Sequence, residues 1–210
     1  MISRLTASLI VAVVVAVFAI GIWMAGDVPR TAWLRFYSMA VLGVMAVLAV
    51  WEHLLWRLPS IQKMPKVPRD IRGTWRGFLM STWTGANGTQ VPPKHAYLVA
   101  RQTASTVSVV LLTDESGSES TLARVTTDSA FVSLDYMYLN EPDEHVRDRS
   151  KMHHGSASLV VSGSPATRIR GGYWTNRDTR GELDFTVRIP TLVEDYKDAV
   201  RAFETAALPK

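Results

Sequence analysis

Cysteine is missing from all 210 residues, which excludes disulfide staples and thiolate metal sites and agrees with a reducing cytosol. Strong charge imbalance is missing too. The net charge is +4, and the part beyond residue 56 holds 20 Lys/Arg against 17 Asp/Glu, too even a balance to attract DNA or RNA by bulk electrostatics. A small anionic ligand stays open, because a pocket needs only a few well-placed arginines. The signatures of catalysis are absent as well: no G-x-S-x-G, no phosphate loop, no H-E-x-x-H and no Cys-His pair. The nearest thing to a metal cluster is His145, His153 and His154. Adjacent histidines point to opposite faces of a strand, so no metal site is expected. From the missing signatures no cofactor and no enzymatic activity are expected either, the alternatives being a membrane-anchored enzyme acting on a nucleotide or lipid and a scaffolding membrane protein.

Charge also vanishes over two stretches near the N-terminus, and these dominate the chain. Leu5 to Gly26 carries no charged side chain, and 22 helical residues at about 1.5 Å each reach roughly 33 Å, enough for a hydrocarbon core of about 30 Å. The second charge-free run, Phe36 to Trp51, reaches only about 24 Å and must borrow from its flanks, where Trp33 and Trp56 suit an interface and Arg35 can snorkel. Residues 1–56 thus read as a transmembrane hairpin with helices over 5–26 and 33–56. A cleaved signal peptide is the rival for the first run, but the run is long for one and a second span follows. Arg57, Lys63, Lys66, Arg69 and Arg72 outnumber the basic residues of the turn, so both termini are expected in the cytoplasm. Ser8, Ala12 and Ala16 form a small-residue row for close helix contact, within one protomer or between protomers.

Residues 57–69, with Pro59, Pro65 and Pro68 among basic side chains, read as a stiff extended linker. From Asp70 the texture changes to short alternating segments rich in Thr, Val and aromatics. Eight strands are predicted, over 72–83, 94–104, 106–113, 119–127, 130–139, 154–162, 167–176 and 181–189. In the last, Leu183, Phe185, Val187 and Ile189 share one face while Glu182, Asp184, Thr186 and Arg188 share the wet one. Eight sequential strands without intervening helices favour an up-and-down β-barrel over 70–210, since closure removes exposed edges. Such a barrel is just wide enough for one small ligand. After Pro190, Leu192, Val193, Tyr196, Val200 and Phe203 recur at helical spacing, which predicts a short C-terminal helix on the barrel.

The candidate chemistry is anion recognition. Arg168 to Arg180 holds four arginines against the single acid Asp178, with Tyr173 and Trp174 between them. Arginine forks grip phosphates and aromatic faces stack on bases, although a solvated hairpin tip fits the same residues. Arg101 shares a face with Tyr97 and Val99, so it lines a pocket or pairs with an acid. Gly73-Thr74-Trp75 seats a core tryptophan at the barrel floor. The connection Glu141 to Lys151 is long enough for a lid, and equally fits a plain solvated loop.

Five motifs bring a family into view: Arg101-Gln102-Thr103, Leu112-Thr113-Asp114-Glu115-Ser116, Tyr138-Leu139-Asn140-Glu141-Pro142, His154-Gly155, and Gly172 through Gly181 with its Tyr173-Trp174-Thr175-Asn176-Arg177 core. Together with the two apolar spans they resemble the two-transmembrane β-barrel effectors of cyclic-oligonucleotide-based anti-phage signalling (CBASS). The resemblance implies a cytosolic barrel that binds a cyclic dinucleotide made by a partner nucleotidyltransferase. It further implies homo-oligomerisation in the bacterial inner membrane, disruption of that bilayer and abortive infection. Motif positions joined to the arginine and aromatic argument give the candidate ligand-binding residues: Arg101, Tyr138, Asn140, His154, Tyr173, Trp174, Thr175, Arg177 and Thr179.

Overall fold

The computed structural model describes residues 11–12, 14–16, 18–20, 22–23, 31–64, 66–84, 91–127, 131–148 and 151–207. The chain forms two compact units, Met1–Leu58 and Pro59–Lys210. In the first, helix α1 runs Thr31–His53 and a 3-10 turn follows at Leu55–Arg57. Residues 11–12, 14–16, 18–20 and 22–23 are helical; Ala12 and Ala16 are among them, whereas Ser8 and much of the run 5–26 fall outside the described residues. Among the described residues no helix is long and apolar enough to cross a membrane.

The second unit is a closed antiparallel barrel of eight strands in sequence order. They are β1 (Gly73–Ser81), β2 (Lys94–Gln102), β3 (Val107–Leu112), β4 (Ser116–Thr126), β5 (Ser133–Pro142), β6 (His153–Ser162), β7 (Arg168–Thr175) and β8 (Arg180–Ile189). Period-2 alternation sends one side chain in two to the interior, as in β6, where Gly155, Ala157, Leu159 and Val161 are buried and their neighbours are not. The core fills the lower half with Trp75, Leu98, Leu134, Leu159, Ile169, Leu183 and Phe185, all fully buried.

The floor is built from polar clasps as well as apolar side chains. Trp75 donates its indole N–H to Ile71 O at 2.8 Å. The expected stiff linker instead contains a helical turn, α2 (Pro59–Gln62), whose Gln62 turns back on the chain. Gln62 donates to Pro68 O at 3.0 Å and accepts from Asp70 N at 2.9 Å, while Gln102 donates to Arg69 O at 3.0 Å and accepts from Ile71 N at 2.9 Å. Two amide side chains thus satisfy four successive backbone groups where the chain enters β1. Gln102→Leu leaves two of those groups without partners and is expected to cost about 1 to 3 kcal/mol. A denaturant midpoint equal to that of the parent would show that the amide does not close the floor.

Two β-bulges break the alternation. The register of β8 against β1 shifts between Arg76 and Gly77, so Thr186 has no partner and everything after it changes face. Leu183 and Phe185 are interior, but Val187 is exposed and Ile189 packs outside the barrel, which corrects the single apolar face expected for β8. Arg188, expected to be wet, points to the floor instead. It donates to Arg72 O at 2.6 Å and Asp70 O at 3.1 Å, pairs with Asp70 Oδ2 at 3.2 Å, and lies 5.4 Å from the centre of the Trp75 ring. The second bulge, between Ser120 and Leu122 on β4, turns Leu122 outward.

Helix α3 (Tyr196–Ala207) begins where Asp195 Oδ1 accepts from Asp198 N at 2.7 Å, a side-chain cap. Its Ala199 and Phe203 pack with Val193 on the outer wall, against Tyr97, Val99, Leu112 and Ile189. Leu192, expected on the apolar face, is exposed. Burial on both sides explains why β2 is apolar on both faces: Ala96, Leu98 and Ala100 look inward and Tyr97 and Val99 look toward α3.

Candidate ligand-binding site

Opposite the floor, the barrel opens into a cavity of about 460 Å³, within the size range of small-molecule sites. Its inner wall is set by two tyrosines and two glycines. Tyr138 on β5 faces Gly155 on β6, and Tyr173 on β7 faces Gly181 on β8. A Cβ at Gly155 would overlap Tyr138 Cζ and Oη, and a Cβ at Gly181 would lie 2.7 Å from Tyr173 Cε1. Each ring therefore lies across the backbone of its glycine, against the wall and not across the cavity. Burial pushes both phenol pKa values up, partly offset at Tyr173 by a hydrogen bond with Ser81, so both hydroxyls stay neutral near pH 7. Tyr136 lies beneath in the core with its ring 5.8 Å from that of Tyr138.

The rim supplies charge and hydrogen-bonding groups. Lys94 Nζ pairs with Glu115 Oε2 at 2.5 Å, the first at the start of β2 and the second in the β3–β4 turn. Asn140 and Ser118 are buried together, with Ser118 Oγ donating to Asn140 Oδ1 at 2.7 Å. In the β7–β8 turn, Thr175 Oγ1 accepts from Arg177 N at 3.2 Å and Thr179 N at 3.3 Å, and Asp178 adopts φ 58°, a conformation that Asp tolerates. The turn aims Arg177 over the mouth, where its Nη1 donates to Lys151 O at 3.2 Å; His153 Nδ1 lies 3.0 Å from the same carbonyl. Val146, buried in the 3-10 turn Glu144–Val146, lines the cavity from the β5–β6 connection, which Asp143 N ties to Glu115 O at 2.9 Å.

Six of the nine sequence candidates line this cavity: Tyr138, Asn140, Tyr173, Thr175, Arg177 and Thr179. The other three do not. Arg101 continues the Tyr97–Val99 face, which looks out toward α3, and it pairs across with Ser108 near the floor end. His154 and Trp174 are exposed on the outer wall, while their chain neighbours His153 and Tyr173 take the inward positions. Of the hairpin arginines only Arg177 lines the cavity. Arg168 pairs with Asp184 and Arg170 with Glu182 across the outside, and the Arg168 hydrogen bond holds the Asp184 carboxyl below its usual range. Sequence reasoning passed over Ser81, Lys94, Glu115, Ser118 and His153. Lys94 was accessible through the Lys94-Ala96-Leu98-Ala100 alternation, whereas the Lys94–Glu115 approach depends on strand pairing.

Cations at Lys94 and Arg177 suit phosphate charge, tyrosine faces suit flat heterocycles, and a buried amide suits a base edge. Among the described residues no group of three or more His, Asp or Glu side chains is placed to hold a metal. A closed eight-stranded barrel with a sealed floor and a polar mouth defines the class as a small-ligand receptor barrel. Residues 65–187, more than half of the chain and all of the barrel strands except Arg188 and Ile189, match the family model described as Cap15, cyclic dinucleotide receptor domain, and the chain belongs to that family. It is also 25% identical over 162 residues to CD-NTase-associated protein 15 of Staphylococcus schleiferi, covering 77% of this chain and 81% of that one.

Proposed function

We propose that this protein is a cyclic-dinucleotide-activated effector of CBASS anti-phage defence, a receptor and not an enzyme. A cyclic dinucleotide made by a partner nucleotidyltransferase seats in the barrel mouth; copies then assemble, and the bacterial inner membrane loses its integrity. The observation that carries this reading is the mouth itself: a cavity of about 460 Å³ with Arg177, Lys94, Asn140 and two wall-laid tyrosines, inside a family of cyclic dinucleotide receptor domains. The membrane part of the reading is supported by the charge-free run Leu5 to Gly26 and by the exposed Met39, Leu42, Met45 and Val47 of α1. The Lys/Arg asymmetry supports a cytoplasmic position for both termini, and Ser8, Ala12 and Ala16 are proposed as a helix contact in the assembled state.

A ligand shifts an equilibrium only by its differential affinity for two states, so the mouth either binds better in the assembled form or changes shape so that assembly follows. The test is thermal stabilisation of the protein with a panel of cyclic dinucleotides, followed by chromatography of the ligand. At a hundredfold excess over Kd, stabilisation of about 2.7 kcal/mol is expected. Recovery of the nucleotide unchanged supports a receptor. Consumption of the nucleotide would make the barrel an enzyme, and no stabilisation by any member would remove this ligand class.

A further inference from the structure

Four cross-strand partners stand in one line on the outer wall. Leu122 on β4 pairs with Met137 on β5, Met137 with Ser156 on β6, and Ser156 with Trp174 on β7. The three apolar side chains are 66%, 52% and 53% exposed, and half-buried Leu139 borders Met137 on the same face. Three strand spacings make the line about 14 Å long. Alternation alone would not put a leucine there. Ser118 is buried inside the barrel and Glu119 is exposed, so an unbroken β4 would turn position 122 inward; the bulge between Ser120 and Leu122 sends it out. Bulges of this kind re-aim a side chain.

The charges around the line fit a second copy of the same wall. Leu122 is flanked along β4 by Glu119 and Arg124, both exposed, and neither is in an ion pair among the described residues. The neighbouring Arg168–Asp184 and Arg170–Glu182 pairs are, by contrast, matched within the wall. A two-fold axis lying along the Leu122–Trp174 line brings each apolar side chain against its own counterpart, as an isologous contact requires. Glu119 and Arg124 sit on opposite sides of that axis, so each falls opposite the other in the facing copy. We propose that two copies of this protein dock through this wall about such an axis. The contact is separate from the N-terminal helices and does not depend on the identity of the ligand. The apolar line is narrow beside a standard interface of roughly 800 Å² per partner, so the contact is weak and is best read by trapping.

The absence of cysteine makes the trap clean, because one introduced thiol can react only between copies. In the full-length protein, a short bismaleimide is expected to cross-link Met137→Cys, which lies on the axis, to its counterpart in the second copy, because facing sheets pack about 10 Å apart, beyond the reach of a disulfide. Phe78→Cys, on β1 across the barrel and also exposed, is expected to give at least tenfold less cross-linked dimer. Adding Arg124→Glu or Glu119→Arg to Met137→Cys should lower the yield at least fivefold, and both reversals together should restore it. Equal yields from Met137→Cys and Phe78→Cys would overturn the proposal, as would a double reversal that fails to recover. A Met137→Cys thiol that gives no dimer, because lipid or another protein covers the wall, overturns it as well.

Discussion

Gly155→Ala is expected to lower affinity for an activating cyclic dinucleotide at least tenfold while the barrel still closes. The added Cβ would occupy the space of Tyr138 Cζ and Oη and would lie 2.9 Å from Trp174 O. The Trp174 carbonyl must shift as well, and the phenol cannot keep its place. The ring must swing off the wall and into the mouth, where the ligand belongs. The stability cost of such overpacking is about 1 to 3 kcal/mol, so the variant is expected to fold. Calorimetric titration gives the affinity, and Tyr138→Ala provides the control background: with the ring gone its overlap is gone, so adding Gly155→Ala to Tyr138→Ala should lower the denaturant midpoint less than adding it to the parent. A Gly155→Ala protein that binds like the parent would show that the ligand makes no use of the space Tyr138 vacates.

Trp75→Ala should bring the largest loss of stability of any single change in the barrel. The side chain is fully buried at the floor, so truncation leaves a cavity costing about 3 to 5 kcal/mol. Further losses come on top, because Ile71 O loses its indole donor and Arg188 loses the ring it lies over. Against a total of about 5 to 15 kcal/mol for an ordinary domain, this is most of the margin. Chemical denaturation of the purified protein measures it. A midpoint within 1 kcal/mol of the parent's, converted through the slope, would mean that the floor is held by the glutamine clasps and not by the tryptophan.

The strands were legible because a half-buried wall enforces period-2 alternation and because turns at Asp114–Gly117, Ser162–Pro165 and Asn176–Thr179 carry the residues that turns demand. Closure followed from counting sequential strands that had no edge to spare. The side of the wall on which a residue falls was much less legible. On β2 the helix α3 buries the outer face, so Tyr97 and Val99 looked as interior as Leu98, and Arg101 was assigned with them. A one-residue bulge cannot be seen in composition, yet it moved Val187 and Leu122 outward and swung Arg188 to the floor. His154 and Trp174 are each one residue from an inward-facing neighbour, which is the smallest error that a period of two allows. The tyrosine–glycine pairs were invisible for another reason: Tyr138 and Gly155 are joined by strand register and not by sequence distance.

The most direct test of a cyclic dinucleotide in the barrel mouth is one titration carried out on three proteins: the parent, Arg177→Ala and Arg101→Ala. The predicted result is one ligand per barrel in the parent. Arg177→Ala should lose about 1.5 to 3 kcal/mol, or roughly 10- to 100-fold in Kd, because a charge-assisted contact at the rim is gone. Arg101→Ala should bind like the parent, since its side chain is on the outer wall near the floor end. Equal binding by all three proteins would take the ligand away from Arg177, and loss of binding in Arg101→Ala alone would move the site to the outside of β2 and contradict the mouth as the receptor site.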